Sequence, residues 1–506
     1  MRHSAVRWSM LTGALLAVAL LLGPPLGTDL SAQFARAEFF REYGLRPIDL
    51  RWYGGTVQFG YSWTSPALMA LLGPRIVGAL ALLASATALA LLLVRTGATR
   101  PALGGVLGAL AFAGNLVSGR VTFALGIAFG LWALVALTSA RPSARPWVRY
   151  GGATLGALLA SATSPVAGLF TGLAAGSWLF LAAMTTKKSQ GPLLFGAAAA
   201  LPIAVNAALF NDGGRMNLGP NDTVRAVVTG LAVALLIRAP AVRFGALLSS
   251  AGVLAAFAIA TPVGLNATRL ATMFALPVVA AYATFGWKWL APALLGLALW
   301  QPPVLVNDLL DAGNPTADRA YFAPLVAELQ RRGPVGRVEV PPTRDYWEAA
   351  YVAQAVPLAR GWLRQVDLER NPLFFDDTLT ADEYERWLRD NGVTYVALPD
   401  AELSWIARSE RAVIVSRPPY LEEVWRGEHW TMWRVQGEPS IVEGATLVAS
   451  TPTRVTFDVT APGDVRVRVR WSRWLRVDGP AGARISPSER WIRVRVTRPG
   501  RYTLTS

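Results

Sequence analysis

The chain has 506 residues, 53% of them hydrophobic and only 16% charged, with a formal net charge of +15; a soluble protein carries about 25% charged residues. It has no cysteine and two histidines, His3 and His429, which excludes thiol catalysis, disulfides, iron–sulfur clusters and multi-histidine metal sites. Any metal would rest on carboxylates, so the one cofactor expectation is a divalent cation, Mg or Mn.

A membrane helix needs about 20 mostly apolar residues. Eleven stretches qualify, at approximately 8–27, 76–94, 101–118, 121–139, 150–165, 166–184, 191–210, 224–238, 244–260, 267–286 and 288–306. The first reads as a span rather than a cleaved leader, because Ala35-Arg36-Ala37 is a poor processing site. Before residue 307 the only acids are Asp29, Glu38, Glu42, Asp49, Asp212 and Asp222. With a cytoplasmic N-terminus all six fall in outer loops. The inner segments then carry Arg2, Arg7, Arg95, Arg100, Arg141, Arg145, Arg149, Lys187, Lys188, Arg238, Arg243 and Lys288 and no acid, whereas the outer acids are mixed with Arg36, Arg41, Arg46, Arg51, Arg75, Arg120, Arg215, Arg225 and Arg269. This asymmetry fits the positive-inside rule. It predicts a multi-pass protein of the plasma membrane with its C-terminal part outside. It also explains the basic balance without nucleic acid, which is not expected as a partner.

Three regions follow: 1–306, a transmembrane domain with a long first outer loop, 28–75; 307–436, an extracytoplasmic α/β domain; and 437–506, a β-sandwich-like module. Residues 30–43 read as an amphipathic helix for the membrane interface. Further on, 318–332 reads as helix and Val338-Glu339-Val340 as strand. Thr380 and Glu383 have capping-box spacing for a helix over 380–391 that Gly392 stops, with a strand after it over Val393–Leu398. Ala412–Ser416 and Trp430–Val435 read as strands. Arg454–Val459, Val465–Trp471 and Trp491–Val496 alternate apolar and polar residues, the last two placing arginines on one face. That face is suited to anionic lipid or polymer, or is simply solvated.

Polar groups at the membrane edge are costly and therefore candidates for chemistry. Asp29 and Asp49 are the candidate catalytic carboxylates, able to take a proton from an acceptor hydroxyl. Arg120 and Arg269 are candidate phosphate clamps. Trp52, Tyr53 and Tyr61 are candidate sugar-stacking rings. Each of these also reads as an interface anchor or local ion pair. No P-loop, HExxH or G-x-S-x-G occurs, which argues against ATP-driven transport and against zinc or serine hydrolysis. His429 has no evident nucleophile beside it and reads as structural.

The segments Asp49–Pro66, Asn115–Arg120, Asn266–Arg269, Leu358–Trp362, Asn371–Phe374, Gly392–Asp400 and His429-Trp430 resemble a family of actinobacterial polytopic membrane proteins often labelled major-facilitator transporters. The architecture is similar to the GT-C class of membrane glycosyltransferases. That resemblance implies transfer of a sugar from a polyprenyl-phosphate donor to an envelope glycan or glycolipid at the outer face. It matches Asp29 to the first-loop acid of that class, with Asp49 second. An adjacent acidic pair near the first helix is missing. The alternatives are a non-catalytic envelope assembly or binding protein, or a transporter or flippase. A twelve-span, two-halved transporter fits the odd span count poorly.

Overall fold

The computed structural model describes residues 2–138, 146–184, 190–302, 304–333 and 336–506. Arg141, Arg145, Lys187 and Lys188, counted above as inner-loop charges, lie outside the described residues. The chain forms two compact units: Met1–Gln33 with Phe59–Asn211 and Arg215–Ala312, and Phe34–Gln58 with Asp212–Gly214 and Gly313–Ser506.

The first unit is helical. Its long helices are α1 (Arg2–Leu22), then, after α2 (Leu30–Tyr43) and α3 (Ser65–Leu72), α4 (Pro74–Arg95), α5 (Pro101–Val117), α6 (Val121–Leu137), α7 (Pro146–Thr163), α8 (Pro165–Met184) and α9 (Gln190–Leu209). It continues through α10 (Pro220–Leu236), α11 (Pro240–Ala258), α12 (Arg269–Tyr282), α13 (Trp287–Trp300) and the short α14 (Val304–Leu310). A helix thus occupies each of the eleven apolar stretches. Proline opens α4, α5, α10 and α11, where its missing N–H costs nothing and its φ suits a helix start.

The packing is inverted relative to a soluble protein. Ala86, Ala88, Ala133, Ala157, Ala167 and Ala175 are fully buried, whereas Leu22, Leu80, Leu235, Trp289 and Leu299 are exposed. Small residues between helices and large apolar ones outside are what lipid as solvent selects. Among the described residues six helices are long and apolar enough to cross a membrane, seven if the bent pair α13–α14 is one span, with α5 and α6 shorter but apolar. The protein is a multi-pass membrane protein, and length and composition alone support fewer crossings than eleven. Arginines close helix ends: Arg100 donates to the Ala283 and Phe285 carbonyls beyond α12, at 2.5 and 2.8 Å, and Arg149 donates to Leu137 O of α6 at 2.7 Å. The last carbonyls of a helix have no internal partner and welcome a cation.

The second unit is mixed. Its first segment makes a two-stranded ribbon, β1 (Ile48–Asp49) and β2 (Thr56–Val57). A four-stranded sheet then has the order β3-β4-β6-β5, from β3 (Arg337–Glu339), β4 (Val393–Pro399), β5 (Leu421–Arg426) and β6 (Trp430–Val435). β3 and β4 are parallel and the other pairs antiparallel. Helices α15 (Arg319–Arg331), α16 (Glu348–Tyr351), α17 (Arg364–Arg370), α18 (Ala381–Asp390) and α19 (Arg408–Val415) accompany it. α18 carries the capping box: Thr380 Oγ1 accepts from Glu383 N at 3.3 Å and Glu383 Oε2 accepts from Thr380 N at 3.0 Å. Two four-stranded antiparallel sheets complete the unit. β7 (Val442–Glu443), β10 (Gly463–Val467), β12 (Arg484–Ser488) and β13 (Trp491–Val496) form one, in the order β12-β13-β10-β7. β8 (Thr446–Thr451), β9 (Arg454–Val459), β11 (Arg476–Asp478) and β14 (Gly500–Thr505) form the other, in the order β11-β14-β9-β8.

Three expectations change. Ala412–Ser416 is not a strand but the end of α19: Glu410, Val413 and Ile414 bury one helical face, and that packing overrides the β-branched run. The alternating Val465–Trp471 run is strand only to Val467. Residues 30–43 form a helix, but not an evenly amphipathic one: from Leu30 to Ala37 all but Phe34 are buried, Arg36 included, and the exposed charges, Arg41 and Glu42, stand only at its C-terminal end.

Burial leaves one titratable group of the second unit poised near neutrality. Glu348 is buried and accepts from Thr343 Oγ1 at 2.5 Å. Burial pushes its carboxyl up to about 7. Unfolded, the group titrates at its ordinary value of 4.5. Its folded form therefore holds the proton more tightly, and stability is highest below pH 4.5 and lost as pH rises to 7, by about 3 kcal/mol. Melting curves of the full-length protein between pH 4.5 and 8 check this. Glu348→Gln should flatten the decline, and an unchanged slope would remove Glu348 as its source.

Candidate active site at the ends of the first helices

The site is built by three chain turns of the helical unit. The α5–α6 connection is a tight turn in which Gly119 has φ +75°, and a Cβ there would lie 2.3 Å from Leu30 N. Asn115 closes the turn: its O accepts from Arg120 N at 3.3 Å and its Nδ2 donates to Arg120 O at 3.2 Å. The stretch after α1 comes against this turn. Gly27, at φ +89°, could not carry a Cβ, which would lie 2.2 Å from the Ser118 carbonyl carbon. Asp29 N then donates to Ser118 O at 3.2 Å.

These constraints hold Asp29 between two cations. Arg120 Nε is 3.4 Å from Asp29 Oδ2, and Arg269 Nη2, at the start of α12, is 3.7 Å from the same oxygen. The side chains are 16% (Asp29), 26% (Arg120) and 17% (Arg269) exposed, so the cluster is sheltered yet reachable. Arg120 Nε makes no hydrogen bond, and the Arg269 guanidinium lies 5.0 Å from the centre of the Phe123 ring. Half-buried Tyr61 is an electrostatic neighbour of Arg269.

A polar chain backs the cluster. Gln33 Nε2 donates to Asp29 O at 3.3 Å, Thr122 Oγ1 donates to Gln33 Oε1 at 2.7 Å, and Ser65 Oγ lies 2.8 Å from Thr122 Oγ1. Asp308 also stands here, accepting from Ser118 Oγ at 2.6 Å. Sequence reasoning missed it because it lies just past the last apolar stretch. An acid within Val304–Leu310, apolar but for Asn307 and Asp308, was the available signal.

The same unit holds a cavity of 590 Å³ whose lining includes Leu270 and Ala271 beside Arg269, Ile127 and Phe170 midway, and Thr96 and Tyr282 at the far end of α12. Leu270 to Tyr282 spans about 18 Å of helix. Its walls are almost wholly apolar.

The other candidates have different roles. Asp49 is fully buried and saturated: it accepts from Arg51 N at 2.9 Å, from Arg51 Nη2 at 2.7 Å and from Gln58 Nε2 at 2.7 Å. Arg51 in turn donates to Ala35 O at 3.0 Å and lies over Phe39 and Trp52. Asp49 therefore organises the β1–β2 ribbon of the second unit and has no lone pair free for a substrate. Trp52 is buried and donates to Ala349 O at 3.1 Å. Tyr53 is buried and donates to Gly361 O at 2.6 Å. Neither offers a face to a sugar, and both are corrected to packing residues of the second unit. His429 Nδ1 is 3.0 Å from Asp400 Oδ2, with its ring stacked on Tyr321; the hydrogen bond to Asp400 raises its pKa, and no nucleophile accompanies the pair.

A divalent cation is poorly served. Asp29 faces two guanidiniums, Asp308 accepts from Ser118, and among the described residues no three potential ligands gather.

No protein-family model and no curated protein matches the chain. Solved structures do. ArnT from Cupriavidus metallidurans, bound to undecaprenyl phosphate, aligns with 85% of this chain and 98% of its own at 12% identity and a TM-score of 0.50. The mycobacterial arabinofuranosyltransferase AftD aligns with 90% of this chain at 17% identity and a TM-score of 0.45, and this chain spans only 43% of AftD. The archaeal oligosaccharyltransferase AglB from Archaeoglobus fulgidus, in complex with an inhibitory peptide and a dolichol-phosphate, aligns with 77% of this chain and 69% of its own, at 13% identity and a TM-score of 0.46. The ArnT likeness shows a shared fold.

Proposed function

We propose that the chain is a GT-C-like membrane glycosyltransferase that moves a sugar from a polyprenyl-phosphate donor to an envelope glycan or glycolipid acceptor at the outer face of an actinobacterial plasma membrane. The observation that carries this reading is the placement of Asp29 at 3.4 and 3.7 Å from two arginines, in the unit that also holds an apolar cavity lined along α12 from Leu270, the residue after Arg269, to Tyr282. The prenyl chain occupies the cavity, and its phosphate sits on Arg120 and Arg269. The separations are wider than a close charge-assisted contact, which leaves both guanidiniums able to turn to a phosphate. Asp29 takes the proton of the acceptor hydroxyl as its oxygen bonds to the anomeric carbon. The carbon–oxygen bond to phosphate breaks, and the departing prenyl phosphate carries the electron pair onto the two arginines. Undecaprenyl phosphate in the ArnT structure supports the donor class.

Topology supports the eleven-span reading. Phe34–Gln58, Asp212–Gly214 and Gly313–Ser506 fold into one compact unit. A body with charged, solvated sheets lies on one side of a membrane, so an even number of crossings must separate its segments. Counting every long helix gives six between the first two, α4 to α9, and four between the last two, α10 to α13. Counting only the helices that satisfy length and composition gives three in the first interval, α4, α8 and α9, which is odd. Crossings by α5, α6 and α7 restore the parity.

The reading as a non-catalytic envelope protein draws on one observation: Asp29 already has two cationic partners. Donor binding separates the arginines' role from structure. Arg120→Gln and Arg269→Gln should each weaken binding of undecaprenyl phosphate to the nanodisc-embedded protein by about 10- to 100-fold, the worth of a hydrogen bond to a charged group. Unchanged binding in both would remove the phosphate from this cluster.

A further inference from the structure

The two sheets of residues 437–506 differ in how they treat their solvent faces. On β11-β14-β9-β8 the outward charges are nearly matched: Arg501 makes two bonds of 2.8 Å to Asp458, and Thr456 lies opposite Thr503 with their hydroxyls 3.1 Å apart. The face of β12-β13-β10-β7 is not matched. Arg466 of β10 stands directly opposite Arg493 of β13, and Arg495 of β13 directly opposite Arg484 of β12. Like charges in register across strands destabilise a sheet, and here two such pairs are adjacent.

Two carboxylates lie among these arginines. Asp464 holds Arg495 at 2.8 Å and Arg493 at 3.6 Å, and Glu443 holds Arg466 at 3.5 Å and Arg468 at 3.2 Å. The four outward guanidiniums, Arg466, Arg484, Arg493 and Arg495, against two carboxylates leave an excess of two positive charges on one face. The arginines remain open, with side chains 45% (Arg466), 47% (Arg493) and 67% (Arg495) exposed. Successive outward residues on a strand are about 7 Å apart, so the cations form a file rather than a point. Arginine rather than lysine fills these positions, and its planar fork suits carboxylate and phosphate oxygens. Four residues past the end of β10 stands the exposed Trp471.

We propose that the outer face of the β12-β13-β10-β7 sheet binds a linear anionic glycan, one bearing a carboxylate or phosphate at regular intervals. The arginine file takes the charges and Trp471 stacks on a sugar ring. Exposed ion pairs such as those to Asp464 and Glu443 are weak, so a ligand carboxylate can displace them at little cost. A lipid surface fits less well, because the strand face itself presents no apolar side chain for insertion: its outward residues are Glu443, Asp464, Arg466, Arg493, Arg495, Arg484 and Ser486. This binding does not depend on transfer at Asp29.

The full-length protein in phosphatidylcholine nanodiscs tests it, with the polyuronate alginate as probe, uncharged dextran as control and phosphatidylglycerol vesicles as the competing surface. Alginate should bind, and the affinity should fall as salt rises. Arg466→Glu with Arg493→Glu should lower it at least about tenfold, since charge-assisted contacts are lost and repulsion replaces them. Arg501→Glu, on the other sheet, should leave it unchanged. Equal binding of dextran, full alginate binding by the double variant, or binding to phosphatidylglycerol vesicles in place of alginate would each overturn the proposal.

Discussion

Asp29→Asn lowers sugar transfer by about 10²- to 10⁴-fold, the contribution typical of a general base, while the affinity for prenyl phosphate holds or tightens. The two halves of this expectation come from one geometry. Asp29 Oδ2 is shared by Arg120 and Arg269. Removing its charge deprives the acceptor hydroxyl of a proton acceptor, and it frees both guanidiniums for the donor phosphate. The fold should survive. The local backbone is held by Asp29 N donating to Ser118 O and by Gly27 packed on the turn, neither of which needs the carboxylate. The two ion pairs are partly exposed, where such pairs contribute about 0–1 kcal/mol each. Single-turnover transfer and donor binding, measured on the same preparation, decide the matter. If Asp29 merely anchors the arginines, the asparagine variant keeps its rate and loses donor affinity instead. That pattern would remove Asp29 as the general base and leave it an anchor for the two arginines.

The sequence disclosed what is local and what is counted. Thr380 and Glu383 are three residues apart, and their capping box forms from neighbours alone. The alternation over Trp491–Val496 specifies a strand with one buried face, and it is one. Span counting put Asp29, Arg120 and Arg269 at the same membrane level, and the structure holds them within 3.7 Å. What stayed hidden depends on contacts across hundreds of residues. Trp52 and Tyr53 look like ligand-facing aromatics of an outer loop. They are instead consumed by the Ala349 and Gly361 carbonyls, 297 and 308 residues away. Asp49 sits two residues from Arg51, the spacing that puts two side chains on one face of an extended chain, so its local pairing was legible. Its completion by Gln58, and the burial of the whole ribbon, were not. The same long-range packing turned the β-branched end of α19 into helix.

The buried ion cluster of the second unit supports the second large effect. Arg360 is buried and donates to Asp367 Oδ2 at 2.6 Å and to Glu410 Oε2 at 3.0 Å, while Glu339 Oε1 stands 3.9 Å away. Its guanidinium lies on the Phe374 ring at 3.9 Å. Burial, then the neighbouring Glu410, pushes the Glu339 carboxyl well up, and burial likewise raises Glu410. One cation therefore faces carboxyls that could not all remain charged without it. Arg360→Met keeps the apolar stem but strands Asp367 and Glu410 in the core formed by Phe374, Tyr384, Trp387 and Ile414. Losing one member of a buried pair costs about 3–5 kcal/mol, a large share of the stability of most domains. The variant should unfold its second unit at a temperature many degrees below the wild type, or fail to accumulate. Acid should partly rescue it. With the cation gone, the carboxyls hold protons more tightly folded than unfolded, so stability is greatest below their unfolded values and falls as pH rises. Adding Asp367→Asn and Glu410→Gln to Arg360→Met removes the stranded charges, and most of the lost melting temperature should return. If Arg360→Met alone melts like the wild type at neutral pH, the cluster contributes nothing to the fold. If it destabilises but the triple variant does not recover, shape at Phe374 rather than charge is what Arg360 supplies.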